Sequence, residues 1–481
     1  MQLTTITDET RLVLSNLGDR TLGLVSPTVR LGVTGLAHAG KTVFITALVH
    51  NLIHGGRLPL FKSYASGRVA GAALEPQPDD AVPRFDYEQH VNALLSTRIW
   101  PESTRQISEL RLTVRYESAS FFGRALGSGK LHIDIIDYPG EWLLDLPLLG
   151  KSYAEWSNEA VAKAGTAQHR ALAAAWLARL AAADPAAAEN ETTARELASA
   201  FTAYLRALRT AEGAVATEPP GRFLMPGDLD NSPALTFSPL NNIRSAPHGS
   251  LARMMERRYE AYKSVVVRPF FRDHFARLDR QIVLVDVLSA LNGGPGAIAE
   301  LEAALAGVLA CFRLGRTGWL SGLVSRRIDR ILFAATKADH LHHGDHDQLE
   351  AILGRIVARA ADSAKFAGAK VDVLAVASVR STKEASVTTA GGTLPSIIGT
   401  PLPGERIDGR VFDGATEVAL FPGDLPKDTG NVFSPEAPRG DVRFVRFRPP
   451  KLERTAEGLT LSLPHIRLDR ALEFLLGDKL A

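Results

Sequence analysis

Gly35, Gly40, Lys41 and Thr42 satisfy G-x-x-x-x-G-K-[ST] inside RLGVTGLAHAGKTVFIT (30–46), a spacing suited to phosphate chemistry. Glycines let the backbone curl into a nest of N–H donors at the start of a helix, where the peptide dipoles also favour an anion. On this reading Gly35, His38, Ala39, Gly40, Lys41, Thr42 and Val43 cradle the phosphates. Lys41 reaches the β- and γ-phosphates, and the Thr42 hydroxyl sits on Mg²⁺. By average residue usage such a string arises by chance in roughly one or two per cent of chains this long. The apolar run before it and the helical pattern after it make a plain glycine-rich turn the weaker explanation.

Two further constellations fit the same chemistry. Asp137-Tyr138-Pro139-Gly140 closes the apolar run LHIDIID. A carboxylate at the tip of a buried strand can hold Mg²⁺ through its water, and a glycine three residues on can offer its N–H to a γ-phosphate. Later, RILFAAT (330–336) ends in Thr336-Lys337-Ala338-Asp339, which matches [NT]KxD. A carboxylate there accepts two hydrogen bonds from N1–H and N2–H₂ of guanine, whereas adenine has no donor at N1; the Lys337 stem covers the base. Ser378 and Val379 stand where backbone N–H groups would meet guanine O6. His340, His342, His343 and His346 have spacings that a metal could use, but without a fixed acid constellation they read as a polar helix start.

The elements that must position these residues follow from periodicity. The run at 31–33 is a strand, and Val43, Ala47, Leu48 and Leu52 mark one face of the helix behind the loop. From 55 to 98, rising Pro, Gly and charged content predicts an irregular excursion, where nucleotide switches keep a mobile segment. Leu110, Leu112, Val114 and Tyr116 alternate as in a strand, and a turn over 123–129 leads into LHIDIID. So short a connection makes an antiparallel hairpin. QIVLVDVL (281–288) and VDVLAVAS (371–378) read as buried strands, with a helix carrying Ile298, Leu301, Leu305, Val308 and Phe312 after the first. Between the two halves, an Ala-rich helix stops near Pro185 and another opens with a Thr193…Glu196 capping box. In ARMMERRYEAYKSVVVRPFFRDHFARLDR acids alternate with bases, which favours a solvated or interdomain helix over a nucleic-acid surface.

The expected class is α/β: a Ras-like phosphate-loop core with a mostly parallel sheet and one antiparallel strand, a helical insertion and a β-rich C-terminal module. The expected divisions are an N-terminal helical extension (1–28), core first part (29–149), helical insertion (150–270), core second part (271–383), β-rich module (384–464) and a C-terminal helix on the core (465–481). With 481 residues and a net charge of +2, nothing demands a nucleic acid or an anionic membrane as partner. The only cysteine, Cys311, excludes an internal disulfide. Acids near the N-terminus and the lack of a long apolar stretch predict a cytoplasmic protein, able to reach the inner membrane only through a partner.

The strings GLAHAGKTVFITAL, IWPEST, IDIIDYPGEWLLDLPLL, ERRYEAYKSVVVRPFFRDHF, RQIVLVDVLSALNGG, TKADH, LFPGDLP and LPHIRLDRALEFLLGDKL span nearly the whole chain. In these the sequence resembles the YcjX-like proteins, bacterial phosphate-loop GTP-binding proteins sometimes described as ATPases. The resemblance implies a Ras-like GTPase core with a helical insertion, GTP/GDP and Mg²⁺ as ligands, a link to stress response, and a small membrane protein as partner. Thr104 stands at the expected place for the switch-one threonine, with Thr97 as fallback, and Arg98 and Arg105 are nearby candidates for stabilising transition-state charge. After Gly140 comes Glu141, where many GTPases carry a water-orienting glutamine. A carboxylate beside a γ-phosphate is repelled, which predicts slow hydrolysis and a switch; Lys41, Thr104, Gly140 and Glu141 form the expected catalytic set. A phosphate-loop ATPase acting in assembly, and a nucleotide-stabilised scaffold without turnover, are the alternatives.

Overall fold

The computed structural model describes residues 27–102, 104, 106–118, 129–211, 217–229, 232–241, 243, 246–311, 328–389, 392–407, 409–434, 444–451 and 462–481. The helix expected over 1–28 lies almost wholly outside these residues, as do Arg105, Phe312 and most of the turn at 123–129.

Seven strands form the central sheet: β1 Thr28–Gly35, β2 Val69–Glu75, β3 Ser108–Tyr116, β4 Gly129–Asp137, β5 Arg280–Val285, β6 Arg330–Ala335 and β7 Lys370–Ala375. Their order is β2-β3-β4-β1-β5-β6-β7. β4, β1, β5, β6 and β7 run parallel. Within this sheet β3 alone opposes its neighbours, and its hairpin with β4 runs in register from Ser108↔Asp137 to Tyr116↔Gly129. The chain is therefore an α/β protein with a Ras-like core.

The helices that frame the sheet and its insertion are α1 Lys41–Ile53, α2 Tyr153–Ala164, α3 Arg170–Ala182, α4 Glu191–Thr210, α5 Leu251–Tyr262, α6 Pro295–Ala310, α7 His346–Ile356 and α8 Leu468–Leu476. Strands β5 and β6 are buried on both faces, which explains their unbroken apolar runs. Ile282, Leu284, Leu332 and Ala334 share a core with α1 and α8, while Val283, Val285, Ile331 and Phe333 face another beneath α6 and α7. Arg280, fully buried, donates to the Leu475 carbonyl and to Asp478, tying the end of α8 to β5.

Four local expectations are corrected. The stretch 55–98 is not wholly irregular: β2 adds an edge strand, and its Ala and Gly residues give no alternation to read. The run 281–288 does not stay a strand, because the Asp286 carboxylate accepts from the Ser289 N–H and caps a new helix, Val287–Gly293. The Ala-rich segment is two helices, α2 and α3, and α2 ends at Gly165. The cap of α4 is Asn190, which accepts from the Thr193 N–H, rather than Thr193 itself.

Helices α2 to α5 lie between β4 and β5 around their own core, in which Trp156 stacks on Tyr259 at 5.1 Å and Trp176 on Tyr204 at 5.6 Å. The basic helix α5 buries Met254, Met255, Tyr259 and Tyr262 in that core. Beyond β7 a three-stranded antiparallel sheet, Lys383–Thr389, Gly392–Gly399 and Val418–Leu420, packs through Ile397, Phe412, Val418, Val445 and Phe447.

Candidate functional site

The C-terminal ends of β1, β5, β6 and β7 converge on one cavity of about 510 Å³, at the edge of the sheet where ligands bind in open α/β folds. That volume lies within the ~300–1,000 Å³ of small-molecule sites. Its walls include Lys41 and Thr42 at one end and Lys337 and Asp339 at the other.

The loop after β1 is shaped by its glycines. A Cβ on Gly35 would lie 2.6 Å from the Leu284 carbonyl, so only glycine fits there. Gly40 takes φ 86° and His38 φ 61°, both left-handed, turning the chain sharply into α1. Val43 lies in the first turn of α1, and Ala39 and Val43 also line the cavity. Lys41 folds back along the loop, donating to the carbonyls of Gly35 at 3.0 Å and Leu36 at 3.4 Å. Burial pulls the Lys41 pKa down, while Asp137 and Glu141 hold it up.

Thr42, Thr104 and Asp137 meet. The two hydroxyl oxygens are 3.2 Å apart, and Thr104 donates to Asp137 Oδ2 at 2.6 Å. Asp137 Oδ1 is buried with no hydrogen-bond partner among the described residues. Burial pushes the Asp137 carboxyl up to about 6 against the pull of Lys41 and the Thr104 hydrogen bond. Two hydroxyls beside an unsatisfied buried carboxylate oxygen are a hard donor set that fits Mg²⁺. Gly140 approaches the loop so closely that a Cβ would lie 2.1 Å from the Gly35 carbonyl and 2.8 Å from Lys41 Nζ. Glu141, beside it, is buried, and its Oε1 lies 3.3 Å from Arg209 Nη2.

At the far end, Asp339 is buried and its Oδ2 accepts from the backbone N–H of Ser381 at 2.8 Å and from the Ser381 hydroxyl. Its carbonyl accepts from the Thr382 hydroxyl. Lys337 holds a left-handed backbone, φ 62°, and its ammonium pairs with Asp286 Oδ2. Burial alone would raise the Asp286 pKa; the Lys337 charge and the hydrogen bonds from Lys337 and Ser289 bring it below the usual carboxylate range. Thr336 donates its N–H to the Val285 carbonyl and lines the cavity. Ser378 and Val379 line it too, with Val379 also buried against the core under α1.

Of the other candidates His340 lines the cavity, and Thr97, Arg98, His342, His343 and His346 fall elsewhere. Thr97 donates its hydroxyl to Ala93 O within its own turn, and the Arg98 Nε–H donates to the Pro449 carbonyl; neither lines the cavity. His340 is buried 5.3 Å from the Phe447 ring, and His346 Nε2 bonds the Ala338 carbonyl. Among the described residues, His342 and His343 alone of these histidines form a cluster with an acid, Glu384. That acid is already bound to His343 and lies beside Arg380.

Sequence reading missed Ser381, Asp286, Trp100 and Phe447. Asp286 was findable, since it directly follows a buried strand, much as Asp137 ends one. Trp100 donates its indole N–H to the Phe447 carbonyl, and with Leu402, Val445 and Arg446 the C-terminal module forms a wall of the cavity. No local pattern announces a contact between such distant segments.

The model of the YcjX-like family, DUF463, matches residues 29–480. A Shewanella oneidensis protein named Ras-like GTPase YcjX is 35% identical over 99% of this chain and 98% of its own length. An Escherichia coli K12 protein of the same name is 36% identical over 94% and 96%. With its phosphate loop and its [NT]KxD box on one cavity and the family match running almost from end to end, the chain belongs to the YcjX-like family.

Proposed function

We propose that this protein binds GTP and GDP with Mg²⁺, hydrolyses GTP slowly, and works as a molecular switch. The observation that carries this reading is that Lys41 and Thr42 share one cavity with Asp339, so a single nucleotide can meet the loop with its phosphates and the carboxylate with its base. The names of the relatives, Ras-like GTPase YcjX, support the same class of ligand. Ser381 fixes one oxygen of Asp339, so the carboxylate is held before any base arrives. Such preorganisation favours a base with two adjacent donors, guanine over adenine.

Thr42, Thr104 and Asp137 would hold Mg²⁺, directly or through water, and the ion would neutralise charge on the β- and γ-phosphates. Gly140 would offer its N–H to the γ-phosphate. Glu141, lying where a water-orienting glutamine would help, limits the rate, so turnover is expected well below ~1 s⁻¹. Slow turnover suits a switch in a stress setting. Among the described residues no helix is long and apolar enough to cross a membrane, so inner-membrane contact would come through a partner, for which a small membrane protein is proposed.

The test is competition. Purified protein is titrated with fluorescent GDP and challenged with GDP, ADP and a non-hydrolysable GTP analogue in Mg²⁺. Displacement by guanine nucleotides at least about 100-fold better than by ADP is expected, in line with the cost of leaving a buried carboxylate unpaired. Equal displacement by ADP would remove the guanine assignment and favour the ATPase alternative.

A further inference from the structure

The insertion does more than pack against the core. Helix α4 delivers Arg209, in its last turn, to the buried Glu141 carboxylate at 3.3 Å. Arg209 also lines a smaller cavity of about 130 Å³ whose walls Ala37, His38, Ala39, Asp286 and Ser289 are shared with the large one. The guanidinium charge is felt on the loop itself, where it helps to lower the pKa of His38, after burial, and opposes the acids that raise that of Lys41.

The pairing with Glu141 is held by charge more than by geometry, because among the described residues Glu141 Oε1 makes no well-formed hydrogen bond. A guanidinium with five planar donors therefore has capacity left for a second anion next to the loop. Hydrolysis creates that demand. As the water oxygen bonds to the γ-phosphorus and the bond to the β,γ-bridging oxygen breaks, GDP leaves with the electron pair and the water proton passes to phosphate. Negative charge meanwhile spreads over the γ- and bridging oxygens. A cation at that point lowers the barrier, and the same cation offsets the repulsion that Glu141 would exert on the γ-phosphate.

The geometry points to Arg209 as a transition-state cation supplied in cis by the helical insertion, paired with Glu141 in the resting protein and turned onto the γ-phosphate when GTP is bound. This rests on the GTP-hydrolysing reading above. It assigns to the insertion a part for which Arg98 and Arg105 were only nearby candidates, and Arg98 is engaged away from the cavity.

The test compares wild type, Arg209→Ala and Arg209→Lys as full chains. Three quantities are measured: GDP affinity, single-turnover GTP hydrolysis, and capture of GDP with aluminium fluoride, a planar mimic of the transferring phosphoryl group. Arg209→Ala is expected to keep GDP affinity within about threefold, to hydrolyse GTP at least about 100-fold more slowly, and to lose aluminium fluoride capture; Arg209→Lys retains part of both. A merely structural arginine would lower the melting temperature of Arg209→Ala and leave capture intact, which overturns the proposal. Equal hydrolysis rates in wild type and Arg209→Ala overturn it as well. Should Arg209→Ala fail to fold, unchanged hydrolysis and capture in Arg209→Lys refute it. Wild type that does not bind GDP sinks the broader reading instead, so the two failures are distinguishable.

Discussion

The Trp100 indole N–H donates to the main-chain carbonyl of Phe447 at 2.6 Å, and both residues line the nucleotide-sized cavity. Trp100 lies just ahead of Thr104, so the segment that would sense Mg²⁺ and the γ-phosphate is tied directly to the C-terminal module. His340, next to Asp339, meets the same Phe447 ring edge-on at 5.3 Å. One module therefore touches both the Thr104 side and the Asp339 side of the cavity.

Breaking that tie should loosen the nucleotide. Trp100→Phe keeps a flat apolar ring and removes one hydrogen bond, worth about 1 kcal/mol. Release of fluorescent GDP is expected to speed up by roughly fivefold. An unchanged release rate would mean that the module covers the site without gripping it.

Asp339→Asn tests the base end. The substitution replaces a charged acceptor with an amide that can supply only one acceptor to guanine, at an expected cost of about 2–3 kcal/mol in GDP affinity. Xanthine carries a carbonyl where guanine carries its amino group, so the variant should gain affinity for xanthosine diphosphate as it loses GDP. Ser381→Ala should weaken GDP more mildly, by about 1 kcal/mol, because it removes only the hydroxyl and leaves the Ser381 N–H on Asp339. Equal loss in both variants would argue for general collapse of the loop.

Thr104 and Thr97 are separated by a metal titration. Thr104 bonds Asp137 at 2.6 Å and adjoins Thr42, whereas the Thr97 hydroxyl is spent on Ala93 O. Thr104→Ala should lower affinity for a GTP analogue about tenfold in Mg²⁺ and hardly at all in chelator, since a single ligand contact is worth about 1–2 kcal/mol. Thr97→Ala should match wild type in both. A Mg²⁺-dependent loss in the Thr97 variant alone would reverse the assignment.

What could be read in advance was what local spacing encodes. The phosphate loop needs Gly35 and Gly40 at fixed offsets, Asp137 ends an apolar strand and Asp339 lies in the turn just after one, so each is visible in a short window. β2 was invisible because an edge strand of Ala and Gly needs no alternating apolar face. Ser381 and Arg209 were invisible for another reason. Ser381 follows the weak motif at Ser378, and Arg209 looks like any basic residue in the last turn of a helix; only the fold carries each to its acid. The same holds for Phe447, which reaches Trp100 from the far end of the chain.

Glu109 gives a stability test away from the cavity. It sits buried in β3, and burial, with the Asp134 charge nearby, pushes its carboxyl from 4.5 up to about 7. A carboxyl with a raised folded-state pKa binds its proton more tightly in the folded chain than in the unfolded one. Stability is therefore lost as pH climbs from about 4.5 to about 7, and no more is lost above that range. Glu109→Gln keeps the shape without the charge. It should be more stable than wild type at pH 8 by about 1–2 kcal/mol after allowance for solvent screening, with most of that gain gone at pH 5. Urea midpoints at the two pH values measure it. A gain of the same size at both would show that the amide improves packing and that the proton plays no part.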